Sequence, residues 1–243
     1  MPLTPEKTPP GRNLVMYILC PNEAAKVAAM EKYNWEYARF IILPQSDNPF
    51  LESIIFMDHL NKCKHEWKDK DFVGCISHSA IQKQPLLSRM DELIDVIHDE
   101  GADFCALLYR GDPLIDTAEK WHPGFTSAWI ETWKRLGFER DVYMSNSTPS
   151  FYANYFLTTP ALMTQYCTTM TYLKFWFDSD GSFRTKMLVN SSYDDRGETI
   201  AKITTETKQK LFGSSFYPMS IFVCERAPCV FFNRFAKKKL LVR

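Results

Sequence analysis

The chain has 243 residues, enough for one domain to bury roughly 70 to 75 per cent of the surface its unfolded form exposes. Lysine plus arginine and aspartate plus glutamate balance at 29 each, so there is no summed positive field to draw the protein onto nucleic acid, and that class of partner is disfavoured. A 45% hydrophobic and 24% charged composition with nine glycines excludes a disordered or repetitive chain and predicts one globular domain over residues 1–243.

After a proline-rich lead-in, residues 14–20 form an almost uninterrupted apolar run ended by Pro21-Asn22, the pattern of a buried strand. A second such run, 38–43, ends at Pro44. Asp47-Asn48-Pro49 then supplies a cap and a first-turn proline for a helix with Leu51, Ile54, Ile55 and Leu60 on one face. A third strand is predicted at 72–77, and a helix follows Pro85 with Leu86, Leu87, Met90, Leu93, Ile94 and Ile97 at helical spacing, closing near Gly101. A fourth strand, 104–109, comes next.

Strand and helix in alternation predict an α/β fold, with a mostly parallel central sheet flanked by helices, joined by right-handed crossovers and binding its ligand at the strand C-terminal ends. The second half is less regular. It holds a Trp-rich amphipathic segment at 126–136 and an aromatic run at 151–157. A helix opened by Thr159-Pro160 follows, then a polar stretch at 178–197, a helix around 200–211 and two apolar runs, 220–224 and 229–232, read as strands.

Seven cysteines at 20, 63, 75, 105, 167, 224 and 229 form no paired framework, and several lie inside apolar runs, which fits reduced, buried thiols in a cytoplasmic protein. No run approaches the roughly 20 apolar residues that span a bilayer, and the first residues lack a secretion signal's order of regions. The tail carries Arg234, Lys237, Lys238, Lys239 and Arg243 interleaved with Phe235, Leu240 and Leu241. It reads as a solvated end, with weak peripheral contact to an anionic membrane surface as the alternative.

The strand ends carry the polar groups. Pro21 and Asn22 follow the first strand, Pro44 and Asp47 the second, Ser77-His78-Ser79 the third and Arg110-Gly111-Asp112 the fourth, and a parallel sheet brings them to one rim. Asp112 is the leading metal candidate, because a carboxylate just beyond a buried strand can hold a divalent cation bridging a diphosphate; a turn aspartate before Pro113 is the alternative.

Asp178-Ser179-Asp180 is a second metal candidate, with an Asp-Gly turn as the alternative. Glu225 and Arg226 end the run 220–224. Glu225 is the candidate base for an acceptor hydroxyl and Arg226 a donor to a leaving diphosphate, against a plain ion pair. Asn154 and Tyr155 join hydrogen-bonding groups to aromatic surface, the combination a sugar ring requires. Trp121, His122, Trp129 and Trp133 offer the same, although such a stripe also makes core.

Two further readings are weaker. His59, Cys63 and His65 have a spacing that approximates zinc ligands but lack a fourth, and Cys75 with His78 suggests a thiol hydrolase, although Cys75 lies in a buried strand. The sequence holds no Gly-rich phosphate loop, serine nucleophile elbow or kinase signature.

The succession Phe40-Ile-Ile-Leu-Pro44, Phe72-Val-Gly-Cys-Ile-Ser77, Asp103-Phe-Cys-Ala-Leu-Leu-Tyr109, Phe151-Tyr-Ala-Asn-Tyr-Phe156 and Phe222-Val-Cys-Glu-Arg226 resembles small GT-A-type glycosyltransferases, similar to those of polysaccharide-building systems and large DNA viruses. The resemblance implies a Rossmann-like nucleotide-sugar-binding half at 14–113 and an acceptor-binding half at 114–243. It also implies donor contacts from Pro21, Asn22, Pro44, Asp47, Ser77, Arg110 and Arg226, acceptor contacts from Asn154 and Tyr155, and a Mn2+ or Mg2+ ion on Asp112, Asp178 and Asp180. The expected reaction moves a sugar from a nucleotide-sugar to a glycan or glycoprotein, with a non-catalytic nucleotide- or glycan-binding module as the alternative. The segment at Asp112 departs from the family's acidic motif in carrying one carboxylate, and Arg110 there is a second source of positive charge.

Overall fold

The computed structural model describes residues 13–43, 52–145, 148–151, 154–193 and 204–242. Its centre is a six-stranded mixed sheet in the order β2-β1-β3-β5-β4-β6, flanked by helices. The strand β1 (Leu14–Cys20) pairs in parallel with β2 (Ala38–Ile42) and with β3 (Phe72–Ser77), Leu19 lying opposite both Ile41 and Ser77. The strand β5 (Phe156–Thr158) runs antiparallel between β3 and β4 (Phe104–Ala106), and β6 (Lys239–Leu241) closes the far edge parallel to β4. Five of these strands therefore share one direction, β5 being the exception, and strands from either side of residue 113 belong to the same sheet.

Alternation along β1 sends Val15, Tyr17 and Leu19 to one face and Leu14, Met16, Ile18 and Cys20 to the other. The first face is covered by α2 (Glu52–Lys62), α7 (Phe125–Arg135), α9 (Pro160–Ser179) and α12 (Met219–Phe235). The second packs on α5 (Met90–Asp99), which buries Met90, Ile94 and Ile97, and on α1 (Glu23–Lys32), which buries only Ala29. That single buried position explains why the sequence places no helix at 23–32: an alanine-rich segment with an exposed surface carries almost no periodic signal. The described residues also form the shorter helices α3 (Lys64–Trp67), α4 (Ala80–Lys83), α6 (Leu114–Trp121), α8 (Arg140–Tyr143), α10 (Gly181–Met187) and α11 (Thr205–Phe212), and a 3-10 turn at Pro85–Arg89 that leads into α5.

Three expectations are corrected. The runs 220–224 and 229–232 are not strands; both lie in α12, a helix buried from Met219 to Cys224 and again from Arg226 to Phe232. An element buried on nearly all sides has almost no polar face to reveal its period, and packing holds the helix through Pro228, which lacks an N–H.

The fourth strand is shorter than 104–109. Beyond Ala106 the chain follows the segment before β5, with the Leu107 N–H donating to the Tyr155 carbonyl at 2.9 Å and Tyr109 bridging Phe151. The basic tail is not a free solvated end through residue 242: Lys239–Leu241 is an edge strand, and the Asp103 carboxylate accepts from the Lys237 and Lys238 N–H groups at 2.9 and 3.0 Å. Exposed lysines on such an edge discourage pairing with another chain. Among the described residues no helix is long and apolar enough to cross a membrane.

Candidate functional site at the strand-end rim

Because β5 runs against β3, it starts where β3 ends, with Phe156 opposite Cys75. Tyr155, the residue before β5, is thereby set beside Ser77, the last residue of β3, and their hydroxyls are hydrogen-bonded. The Lys83 ammonium, on the last turn of α4, donates to the same phenol oxygen at 3.1 Å and lies 5.4 Å from the ring centroid. Ser79 adds a hydroxyl 3.2 Å from Ser77 Oγ. Ser77 and Tyr155 are buried while Lys83 is exposed, so the cluster runs from the sheet end out to solvent.

Tyr33, just after α1, fixes the turn that carries this cluster. Its hydroxyl lies 3.3 and 3.2 Å from the carbonyls of Ser77 and His78 and accepts from the Ile81 N–H at 3.1 Å. Burial lowers the pKa of His78. On the neighbouring strand end Asn22 caps α1, its side-chain oxygen accepting from the Ala25 N–H at 2.8 Å, and Pro21 is half-buried beside it. Asn154 is 2% exposed; its Nδ2 donates to Ser53 Oγ at 3.1 Å, and its Oδ1 is buried with no hydrogen-bond partner among the described residues.

Further along the rim, the segment past β4 carries Arg110 and Asp112, both exposed. The Arg110 N–H donates to the Ser150 carbonyl at 3.2 Å and the Ser150 hydroxyl to the Asp112 carbonyl at 2.6 Å, which pins the backbone. The Asp112 carboxylate makes no hydrogen bond or ion pair with the described residues. Pro44 and Asp47 lie outside the described residues.

The remaining candidates lie on helices or at their ends. Glu225 and Arg226 belong to the helical layer rather than to a strand end, because the segment that carries them is helix α12. Arg226, 4% exposed, donates to the Phe222 carbonyl at 3.2 Å, lies over the rings of Phe125 and Phe222, and stands 3.5 Å from Glu225 Oε2. Asp180 caps α10, accepting from the Ser182 and Phe183 N–H groups at 2.9 and 3.0 Å, and pairs with Arg135 of α7 at 2.8 Å. Those contacts, the Phe183 N–H first, the Ser182 hydroxyl and the Arg135 charge among them, hold its carboxyl down to about 2. Asp178 pairs with Lys174 along α9.

Two sequence alternatives are also corrected. Cys75 faces the core beneath the rim and burial pushes its thiol well above the ordinary range, so it is no nucleophile. Among the described residues no three His, Cys, Asp or Glu side chains converge as a metal site, and this includes His59, Cys63 and His65 as well as Asp112, Asp178 and Asp180. Trp129 and Trp133 are wholly buried core, and His122 stacks on Phe222 with ring centroids 3.6 Å apart.

Sequence reasoning missed Lys83 and Tyr33. The only signal for Lys83 was its place six residues beyond the strand-end serine. Tyr33 follows a helix that the sequence did not announce. What the rim offers chemically is one ammonium, a phenol and two serine hydroxyls converging at the end of β3, a set suited to meeting an anionic oxygen. Comparison with protein-family models, with curated proteins and with solved structures found no match.

Proposed function

We propose that the chain is a nucleotide-sugar-dependent glycosyltransferase whose donor diphosphate lies along the C-terminal rim of the parallel strands. The juxtaposition of Lys83, Tyr155 and Ser77 at the end of β3 is the observation that carries the reading. Breaking a sugar–phosphate bond leaves concentrated negative charge on the departing diphosphate, and a cation must meet it. Lys83 and Arg110 fill that role here, with the Tyr155 and Ser77 hydroxyls as donors and the Asn22-capped start of α1 nearby on the same sheet edge. The acceptor is a glycan or glycoprotein whose hydroxyl attacks the anomeric carbon, and Asp112 is the exposed carboxylate on the rim segment that can take its proton.

Titration with UDP-, GDP- and dTDP-sugars, with and without manganese, tests the proposal. Saturable binding of one donor without manganese is expected, weakened about tenfold by Lys83→Ala, as for loss of one charge-assisted contact. Failure of every donor to bind overturns it.

A second reading is a binding module of the same kind without transfer activity. It is favoured by the position of Glu225, the candidate base, inside α12 beside Arg226. Donor binding with no hydrolysis or transfer in the presence of glycan acceptors identifies this case.

A further inference from the structure

We infer that the chain carries a second binding site, for a neutral saccharide, on the sheet edge opposite the rim. A groove of about 480 Å³ opens there, beside Leu14 at the start of β1 and between the turn that leads into β2 and the start of α5; Lys70 stands just before β3. The volume falls within the roughly 300–1,000 Å³ of small-molecule sites.

Its lining is mostly polar, with one indole, Trp35, among the charged groups. Trp35 is half-buried, stacked on Tyr37 with ring centroids 5.6 Å apart and met edge-on by Tyr33 at 5.0 Å, so the indole is held in place before any ligand arrives. A ring already fixed loses little conformational freedom on binding.

Around it stand Asn34, Glu36, Arg39, Lys70 and Asp91. The Tyr37 hydroxyl donates to Asp91 Oδ1 at 2.9 Å and orients that carboxylate. The Arg39 guanidinium is aimed by donation to the carbonyls of Glu36 and Ala38 at 3.1 and 2.9 Å.

The charges select the ligand. Two cations and two carboxylates face the same space, so an anionic nucleotide meets Glu36 and Asp91, and a cationic ligand meets Arg39 and Lys70. A polyhydroxylated neutral ring uses all four: its hydroxyls donate to the carboxylates and accept from the cations, and its C–H surface covers the exposed part of the indole. The site is separate from the strand-end rim and stands whether or not the rim binds nucleotide.

The probes are maltohexaose, cellohexaose, laminarihexaose, chitohexaose and mannohexaose, each followed by saturation-transfer NMR and by calorimetry on the full chain. Binding of at least one is expected at concentrations up to about 10 mM, a weak-affinity range. Trp35→Phe and the surface change Glu36→Gln each weaken it by about tenfold, the scale of one aromatic or charge-assisted contact. Lys83→Ala leaves it unchanged, while nucleotide-sugar titration of the same three variants reports on the rim separately. The inference is overturned by absence of binding to all five sugars, by binding that both groove variants leave intact, or by binding that Lys83→Ala removes.

Discussion

The phenol of Tyr155 meets the hydroxyl of Ser77 where the one antiparallel strand begins beside the end of β3. Both groups are buried, and Lys83 reaches the same oxygen from solvent. The contact joins residues 78 positions apart and ties the sheet's interruption to its candidate site. Tyr155→Phe removes the hydroxyl and leaves Ser77 unsatisfied on that side, so a loss of about 1 kcal/mol is expected in urea unfolding. Lys83→Ala, at an exposed position, should change stability by no more than about 0.5 kcal/mol while weakening donor binding.

Gly74 lies in β3 between Met16 of β1 and Leu157 of β5. A Cβ there would stand 2.7 Å from Leu157 Cδ1 and 2.8 Å from both Met16 Cε and the Phe156 carbonyl oxygen. The backbone oxygen cannot swing aside as a side chain can, so Gly74→Ala overpacks the sheet. A destabilisation of about 1–3 kcal/mol is expected from chemical denaturation.

Asp180 gives a pH-dependent signature. Its carboxyl is held at about 2, below the ordinary 3.8, by the Phe183 N–H, the Ser182 hydroxyl and Arg135. A group with a depressed folded pKa adds stability above its unfolded pKa and loses it as pH falls through the folded value. Asp180→Ala should therefore unfold at lower urea than the parent at pH 6, and the gap should narrow as pH is lowered from about 4 towards 2. Donor binding should not change, since the contacts of Asp180 are with α10 and α7.

The seven thiols are all unpaired, and they separate by exposure. Cys63 is half-buried, whereas Cys20, Cys75, Cys105, Cys167, Cys224 and Cys229 are buried, with burial raising the pKa of each. Mass-spectrometric mapping after brief iodoacetamide treatment of the folded chain should find Cys63 modified first and the other six only after denaturant is added.

Residues 14–20 and 72–77 declared themselves as strands because short apolar runs ended by polar or proline punctuation have few other folded outcomes, and Thr159-Pro160 announced α9 through a cap and a first-turn proline. The amphipathic spacing of Met90, Ile94 and Ile97 fixed the buried face of α5 in the same way. From these alone the alternating α/β character and the placement of Asn22 and Ser77 at one sheet edge followed. Only tertiary structure decided that 219–235 is a helix, since burial of all but one residue from 219 to 232 erases the period that distinguishes helix from strand. It alone inserted β5 between β3 and β4, because strand order depends on contacts between residues far apart in the chain, which no local pattern encodes. That insertion set Tyr155 against Ser77 and Lys83, while Glu225 came to lie in α12 and Asp180 between α9 and α10.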